Sequence, residues 1–181
     1  MMKDNFKLIK LVIAGSAKTG KTTLNEYLQD RELNFENYLP TIGIDFGKKI
    51  ILYKKNLYKL QIWDTSGQTR YQAITNAYMK KVSILLAFFN YNDRKTFDYA
   101  KSLFAKVENE KPVFVLIGAK YDLKNNTDKK DNIVNEEEVL EFAKEKNVLC
   151  AHLSLLEKNS NGVIELAKKV FDEYIIRKKI Q

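Results

Sequence analysis

Two kinds of apolar pattern alternate along the chain: short, nearly continuous runs, and segments in which apolar residues recur at helical spacing. Residues 82–89 and 113–118 are nearly unbroken apolar runs, which are typical of central strands buried on both faces of a sheet. Between them, Phe97 begins a helical pattern, and Asp93 is placed to cap the start of that helix. This alternation predicts an α/β fold with a mostly parallel sheet and helices on both faces.

The other predicted elements continue the same order. Residues 6–14 predict the first strand, which is followed by a glycine-rich turn and a helix over residues 21–29. Residues 44–53 and 57–64 predict a strand pair, whose Lys-rich, partial alternation suits a sheet edge that faces water. A short last strand over residues 148–152 lies between two further helical patterns. We therefore expect a single domain over residues 1–181.

Charge and cysteine content narrow the classes of function. The 31 Lys and Arg residues against 23 Asp and Glu residues give a net charge of +8. The lysines fall on nearly every predicted element, and no basic motif with interleaved aromatic residues accompanies them, so we expect no nucleic-acid partner. Cys150 is the only cysteine, which favours a reducing compartment. No apolar run approaches the roughly 20 residues that a membrane span needs, so we expect a cytoplasmic protein.

A glycine-rich segment joins the first predicted strand to the first predicted helix. Residues 15–22 have the sequence GSAKTGKT, which matches the phosphate-loop pattern GxxxxGK[ST] in the required context. Backbone N–H groups and the helix N-terminus would cradle phosphate oxygens, Lys21 would reach the β and γ phosphates, and the Thr22 hydroxyl would bind Mg²⁺. The nucleotide-binding residues predicted here are Gly15, Ser16, Ala17, Lys18, Thr19, Gly20, Lys21, Thr22 and Thr23.

Three further motifs follow the phosphate loop in order. Residues 40–46 have the sequence PTIGIDF, residues 63–68 have WDTSGQ, and residues 118–122 have GAKYD. The last of these ends a buried strand, where ligands of open α/β folds bind. Together the four motifs resemble the Ras superfamily of small GTPases, and the Rab family most closely, over nearly the whole chain. Ala17, Lys18 and the KYDL sequence are also similar to the septation-signalling GTPases of fungi.

The resemblance implies a P-loop GTPase domain with a six-stranded, mostly parallel sheet and one antiparallel edge strand. It implies that Thr41 closes over the γ phosphate and binds Mg²⁺, and that Asp64 holds the metal through water. The Gly67 N–H would donate to the γ phosphate, and Gln68 would orient the attacking water. The predicted catalytic residues are therefore Gln68, Lys21 and Thr41, and the predicted metal site is Thr22, Thr41 and Asp64.

The resemblance also implies a conformational switch and its partners. Loss of the γ phosphate would release residues 33–43 and 65–79. Phe46, Trp63 and Tyr78 match the aromatic trio by which Rab proteins present a state-dependent surface to effectors. We therefore expect effectors, an exchange factor and a GTPase-activating protein, in vesicle traffic or related signalling. No cysteine lies near the last residue given, so this chain has no prenylation site, and its basic end would attract acidic lipids only weakly.

Two departures from the family pattern affect the base site. Ala119 replaces the Asn of the usual NKxD motif, whereas Lys120 remains to cover the base and Asp122 remains to accept two hydrogen bonds from guanine. The SAK motif is reduced to Ser154, Leu155 and Leu156, where a backbone N–H could still meet the guanine carbonyl oxygen. These departures predict weaker nucleotide binding and faster exchange. Side chains at Ala17 and Lys18, close to the γ phosphate, predict slow intrinsic hydrolysis.

Two other classes of function stay open at this point. A degenerate GTPase domain, acting as a protein-binding module with weak or absent turnover, would explain Ala119 and the altered SAK motif. The residues expected to bind phosphate and Mg²⁺ and to orient the attacking water are nevertheless all present, and a protein-binding scaffold would not need them. A P-loop kinase would need arginine-rich lid residues, and the chain has only four arginines: Arg31, Arg70, Arg94 and Arg177.

Overall fold

The computed structural model describes residues 6–31, 39–123, 132–155 and 161–180. Within these residues it has six β-strands and five α-helices. The strands are β1 (Lys7–Gly15), β2 (Ile44–Tyr53), β3 (Asn56–Thr65), β4 (Ile84–Asn90), β5 (Val113–Ala119) and β6 (Leu149–Leu153). The helices are α1 (Lys21–Leu28), α2 (Gln72–Tyr78), α3 (Arg94–Val107), α4 (Glu136–Glu145) and α5 (Asn161–Ile180).

The described strands form one sheet with the order β2-β3-β1-β4-β5-β6. β1 is parallel to both β3 and β4, and β5 is parallel to both β4 and β6. Only β2, at one edge of the described sheet, runs antiparallel to its neighbour. The predicted mostly parallel sheet of six strands with one antiparallel edge strand is therefore confirmed. The carboxyl ends of β1, β3, β4, β5 and β6 meet at one edge of the sheet, hereafter the carboxyl edge.

Each face of the sheet has its own hydrophobic core. On one face, alternate residues of β1, such as Ile9 and Ile13, pack with α1 and the apolar side of α5. On the other face, the intervening residue Val12 packs with α3 and with Val139 of α4. The period of two along a strand sends successive side chains to opposite faces, so a strand covered on both sides is apolar throughout. This explains the unbroken apolar runs of β4 and β5, all but one of whose side chains are buried.

Where the sequence analysis gave bounds for a strand or helix, the observed ends lie within two residues of them; one helix was missed. The predicted cap of α3 is confirmed, since the Asp93 carboxylate accepts a hydrogen bond of 3.1 Å from the Lys95 N–H. β4 begins at Ile84 rather than at residue 82, because the Val82 N–H bonds to the Met79 carbonyl in a turn. Helix α2 was not predicted, since its seven residues bury only Thr75 and so have no apolar stripe.

Candidate functional site

The phosphate loop lies at the carboxyl edge, between the end of β1 and the start of α1. Gly15 adopts a φ of +143°, and a Cβ there would lie 2.4 Å from the carbonyl oxygen of Phe88 on β4. Gly20 adopts a φ of +92° directly before α1. Only glycine adopts these positive φ values at low cost, and only glycine avoids the clash with Phe88 at position 15. Within the described residues no side chain caps the start of α1, so its first N–H groups and its partial positive charge are available to an anion.

Lys21 is held inside this loop. Its side chain is buried, and its ammonium group donates a hydrogen bond of 2.7 Å to the Ser16 carbonyl. The Thr19 hydroxyl donates to the same carbonyl at 2.9 Å, which closes the loop on itself. Burial lowers the pKa of Lys21 to about 8, and the nearby Asp64 opposes that shift. A bound anion would favour the charged ammonium, as a phosphate site requires.

Three residues predicted to bind Mg²⁺ come from separate segments and meet beside Lys21. The Thr22 hydroxyl donates to Asp64 Oδ2 at 2.7 Å and shares a hydrogen bond of 2.8 Å with the Thr41 hydroxyl. Asp64 is fully buried, and its other oxygen, Oδ1, has no hydrogen-bond partner among the described residues. Burial raises the pKa of Asp64 to about 6, against the lowering effect of the Thr22 hydrogen bond. Hydroxyl and carboxylate oxygens are the ligands Mg²⁺ prefers, and a cation would favour the charged carboxylate, so these residues fit that metal.

The segment after β3 packs directly against the phosphate loop. A Cβ on Gly67 would lie 2.2 Å from the Ala17 nitrogen and 2.3 Å from the Ser16 carbonyl carbon. The Ser66 N–H donates a hydrogen bond of 2.8 Å to the Gly43 carbonyl. This bond joins the segment that contains Gly67 to the segment that contains Thr41. Gln68 follows immediately and is half-buried. Part of the predicted switch segment, residues 33–38, lies outside the described residues.

The base-binding positions lie next to the phosphate loop along the carboxyl edge. Ala119, only 2% exposed, ends β5 and pairs with Leu153 of β6 in the same hydrophobic core. Leu155 packs against that core, and its Cδ1 lies 3.7 Å from where a Cβ on Gly20 would be. Ala119 and Leu153, together with Leu155 packed against their core, therefore form an apolar group at the position where the family pattern predicts an Asn that would bond to the phosphate loop. Lys120 directly follows Ala119, Asp122 lies in the 3₁₀ turn after it, Ser154 directly follows Leu153, and Leu156 lies outside the described residues.

The predicted aromatic trio forms a continuous stack on the surface. The ring centroids of Phe46 and Trp63 are 4.4 Å apart, and those of Trp63 and Tyr78 are 4.6 Å apart. Phe46 is 38% exposed, and the side chains of Ile42 and Ile74 are exposed as well. The trio spans β2, β3 and the end of α2, so it would sense a displacement of either predicted switch segment.

The sequence predictions missed four residues that surround the base-binding positions. Tyr91, Tyr121, Glu136 and His152 contact one another beside Lys120 and Asp122. None of the four was assigned a role at the site in the sequence analysis. The available signals were weak: His152 is the sole histidine, and Tyr121 lies inside the KYD motif.

Among the described residues, no helix combines the length and the apolar content that a membrane crossing requires.

Comparisons with known proteins agree with this architecture. The Ras family model matches residues 10–175. The chain is 31% identical to the Ras-related protein Rab-17 of Mus musculus over 172 residues, which cover 93% of this chain and 76% of that protein. It is 39% identical to the GTP-binding protein ypt2 of Schizosaccharomyces pombe over 119 residues, which cover 64% of this chain and 58% of that protein.

A third relative is the Ras-related protein RabO of Dictyostelium discoideum, with 35% identity over 66% of this chain and 56% of that protein. The alignments thus span less than two thirds of both RabO and ypt2. They span 78% of the Ras-related protein Rab-4A of Danio rerio, at 29% identity over 92% of this chain. The relatives named here are Rab and Ypt proteins, and the family model covers most of the chain: the chain belongs to the Ras family of small GTPases and is Rab-like.

Proposed function

We propose that this chain is a single G domain over residues 1–181 that binds GTP or GDP with Mg²⁺, hydrolyses GTP and changes conformation between the two states. The convergence of Thr22, Thr41 and Asp64 supports this proposal most directly. The Thr22 hydroxyl lies within 2.8 Å of an oxygen of each of the other two residues, and the three come from sequence-distant segments that meet beside the phosphate loop. Such an arrangement would hold Mg²⁺ beside the bound phosphates, and a protein-binding module has no use for it.

In the proposed reaction, water attacks the γ phosphorus while the bond to the β–γ bridging oxygen breaks, so that phosphate and GDP leave. Lys21 binds the β and γ phosphate oxygens, and the Gly67 N–H donates to the γ phosphate. Gln68 orients the attacking water. Mg²⁺ held by Thr22 and Thr41, and by Asp64 through water, would neutralise charge on the β and γ phosphate oxygens.

The conformational switch follows from the contacts that depend on the γ phosphate. Once the γ phosphate has left, Thr41 and the Gly67 N–H each lose the contact that depends on it, and the two segments that contain them are released. The hydrogen bond between the Ser66 N–H and the Gly43 carbonyl joins the two segments, so a movement of one is transmitted to the other. The stack of Phe46, Trp63 and Tyr78 lies beside both, which makes it the proposed effector surface.

The Rab-like character supports a role in vesicle traffic or related signalling, at the cytoplasmic face of a membrane, with an exchange factor and a GTPase-activating protein as regulators. Ala119 lacks the amide that would bond the base, and losing such a bond costs about 1–3 kcal/mol. We therefore propose weaker binding and faster exchange than in a Rab with the full motif. Ala17 and Lys18 are exposed, and the Ala17 backbone lies against Gly67, the residue before Gln68. Side chains at these two positions would crowd Gln68, which supports slow intrinsic hydrolysis.

A titration with fluorescent GDP, GTP and ATP in the presence of Mg²⁺ tests the proposal. Lys21→Ala and Asp122→Ala should each abolish saturable guanine-selective binding, the first through the phosphates and the second through the base. The matched controls Lys95→Ala and Asp98→Ala, at exposed positions of α3, should bind as the parent chain does. If the parent chain binds no nucleotide, the chain is instead a degenerate GTPase domain, as Ala119 alone would favour.

A further inference from the structure

Four side chains form a connected group, hereafter the base-loop cluster, at the carboxyl edge: Tyr91, Tyr121, Glu136 and His152. The Tyr91 hydroxyl and His152 Nδ1 share a hydrogen bond of 2.6 Å. The Tyr121 hydroxyl donates to Glu136 Oε2 at 3.1 Å, and His152 Nε2 lies 3.6 Å from Glu136 Oε1. The Tyr121 ring packs against both Tyr91 and His152, at centroid distances of 5.5 and 4.9 Å.

The partners of Tyr121 are fixed by three separate elements. Tyr91 directly follows β4, is 0% exposed, and its carbonyl accepts a hydrogen bond of 2.8 Å from the Val134 N–H. His152 belongs to β6, and Glu136 begins α4. The Tyr91 ring also explains a glycine in β5, because a Cβ on Gly118 would lie 2.4 Å from Tyr91 Cε2. Burial raises the pKa of Tyr91, which keeps its hydroxyl protonated and able to donate.

Tyr121 stands between the two residues expected to contact the base. Tyr121–Leu123 forms a single 3₁₀ turn, and Lys120 before it adopts a φ of +55°. The side chain of Ala119 can make no hydrogen bond, so the contacts of Tyr121 hold this turn where the family pattern would use Asn. In so short a turn the position of one residue fixes the backbone of the next, and with it the direction in which the Asp122 carboxylate leaves the chain.

We propose that Tyr121 is a positioning residue for guanine recognition, through which the base-loop cluster orients the Asp122 carboxylate toward the base. This inference rests on the proposed function, because it assigns Asp122 to the guanine N1–H and 2-amino groups. We expect no direct contact between Tyr121 and the base. Its contribution is to keep Asp122 aligned, which raises affinity for guanine over bases that lack the 2-amino group.

Inosine diphosphate provides the test, since it differs from GDP only in lacking the 2-amino group. We expect Tyr121→Ala to speed GDP dissociation about tenfold and to lower the ratio of the inosine diphosphate Kd to the GDP Kd at least threefold. Tyr121→Phe keeps the ring and removes the hydroxyl that donates to Glu136, so its effect should fall between those of the parent chain and Tyr121→Ala. A general loss of stability would weaken both nucleotides equally and leave the ratio unchanged.

Tyr53→Phe is the matched control. The Tyr53 hydroxyl likewise donates to a carboxylate, Asp172 Oδ1 at 3.0 Å, but Tyr53 lies at the end of β2 that is remote from the carboxyl edge. The inference is overturned if Tyr121→Ala keeps the dissociation rate and Kd ratio of the parent chain, or if Tyr53→Phe changes the ratio as much. A parent chain that binds GDP no better than ADP would instead overturn the proposed function.

Discussion

Gly67→Ala should separate GTP binding from GDP binding. The added Cβ would lie 2.2 Å from the Ala17 nitrogen, whereas ordinary van der Waals contact begins at 3.4 Å. The Ser16 carbonyl carbon, at 2.3 Å, blocks the same direction, and both obstacles are backbone atoms that no rotamer change can move. The segment after β3 must therefore retreat by about 1 Å or more, which exceeds the tolerance of a hydrogen bond between the Gly67 N–H and a γ phosphate oxygen.

The expected magnitude follows from the one bond that is lost. A hydrogen bond to a charged group contributes about 1.5–3 kcal/mol, which corresponds to roughly tenfold to hundredfold in affinity. GDP has no γ phosphate, so the loss of this bond should not lower the affinity for GDP. We expect the preference for a non-hydrolysable GTP analogue over GDP to fall at least tenfold, while the GDP affinity stays within about twofold of the parent value.

Competition of the two nucleotides against fluorescent GDP measures that preference. Gly162→Ala is the matched control: it makes the same substitution near the start of α5, where the nearest atom of the described residues, Leu153 Cδ2, would lie at an ordinary 3.6 Å from the new Cβ. An unchanged preference in Gly67→Ala would contradict this expectation, because it would mean that the Gly67 N–H does not bind the γ phosphate. An equal loss of GDP and GTP affinity would point to a distorted phosphate loop and would refute it too.

Three further substitutions test other parts of the molecule. Gln68→Leu should slow single-turnover GTP hydrolysis at least tenfold without changing the affinity for GDP; an unaltered rate would remove Gln68 from the catalytic residues. Phe97→Ala, at a side chain that is 0% exposed, should lower the free energy of unfolding by about 3–5 kcal/mol in denaturant titrations, whereas the exposed Leu52→Ala should change it by less than about 0.5 kcal/mol. Asp93→Ala should cost about 1 kcal/mol in the same titration through the lost α3 cap, and a neutral result would contradict that role.

Much of the fold followed from patterns that the sequence displays locally. Strands covered on both faces, such as β4 and β5, need apolar residues throughout, and the Asp93 cap depends on residues that are neighbours in sequence. The phosphate loop was predictable for the same reason, since one short segment contains its glycines, lysine and threonine. The roles assigned to those residues stay predictions until nucleotide binding is measured.

The remaining features depend on residues that are distant in sequence. Helix α2 is an exception, since it was missed because it is short and lies on the surface, where no apolar stripe is required. The base-loop cluster joins Tyr91 to His152, which are 61 residues apart, and no local pattern records such a pair. The tight approach of Gly67 to Ala17 is likewise a tertiary contact, although the glycine itself was noticed.

The apolar group of Ala119, Leu153 and Leu155 has a consequence for how this base site can evolve. Asparagine at position 119 would place an amide against a leucine in a nearly closed core, at a cost of about 1–3 kcal/mol if it found no partner there. Substitutions in the altered NKxD and SAK motifs are therefore expected to be coupled in their effects rather than independent. Reversion of either position alone meets a barrier, and only a concerted change at both would lead back to a polar base site.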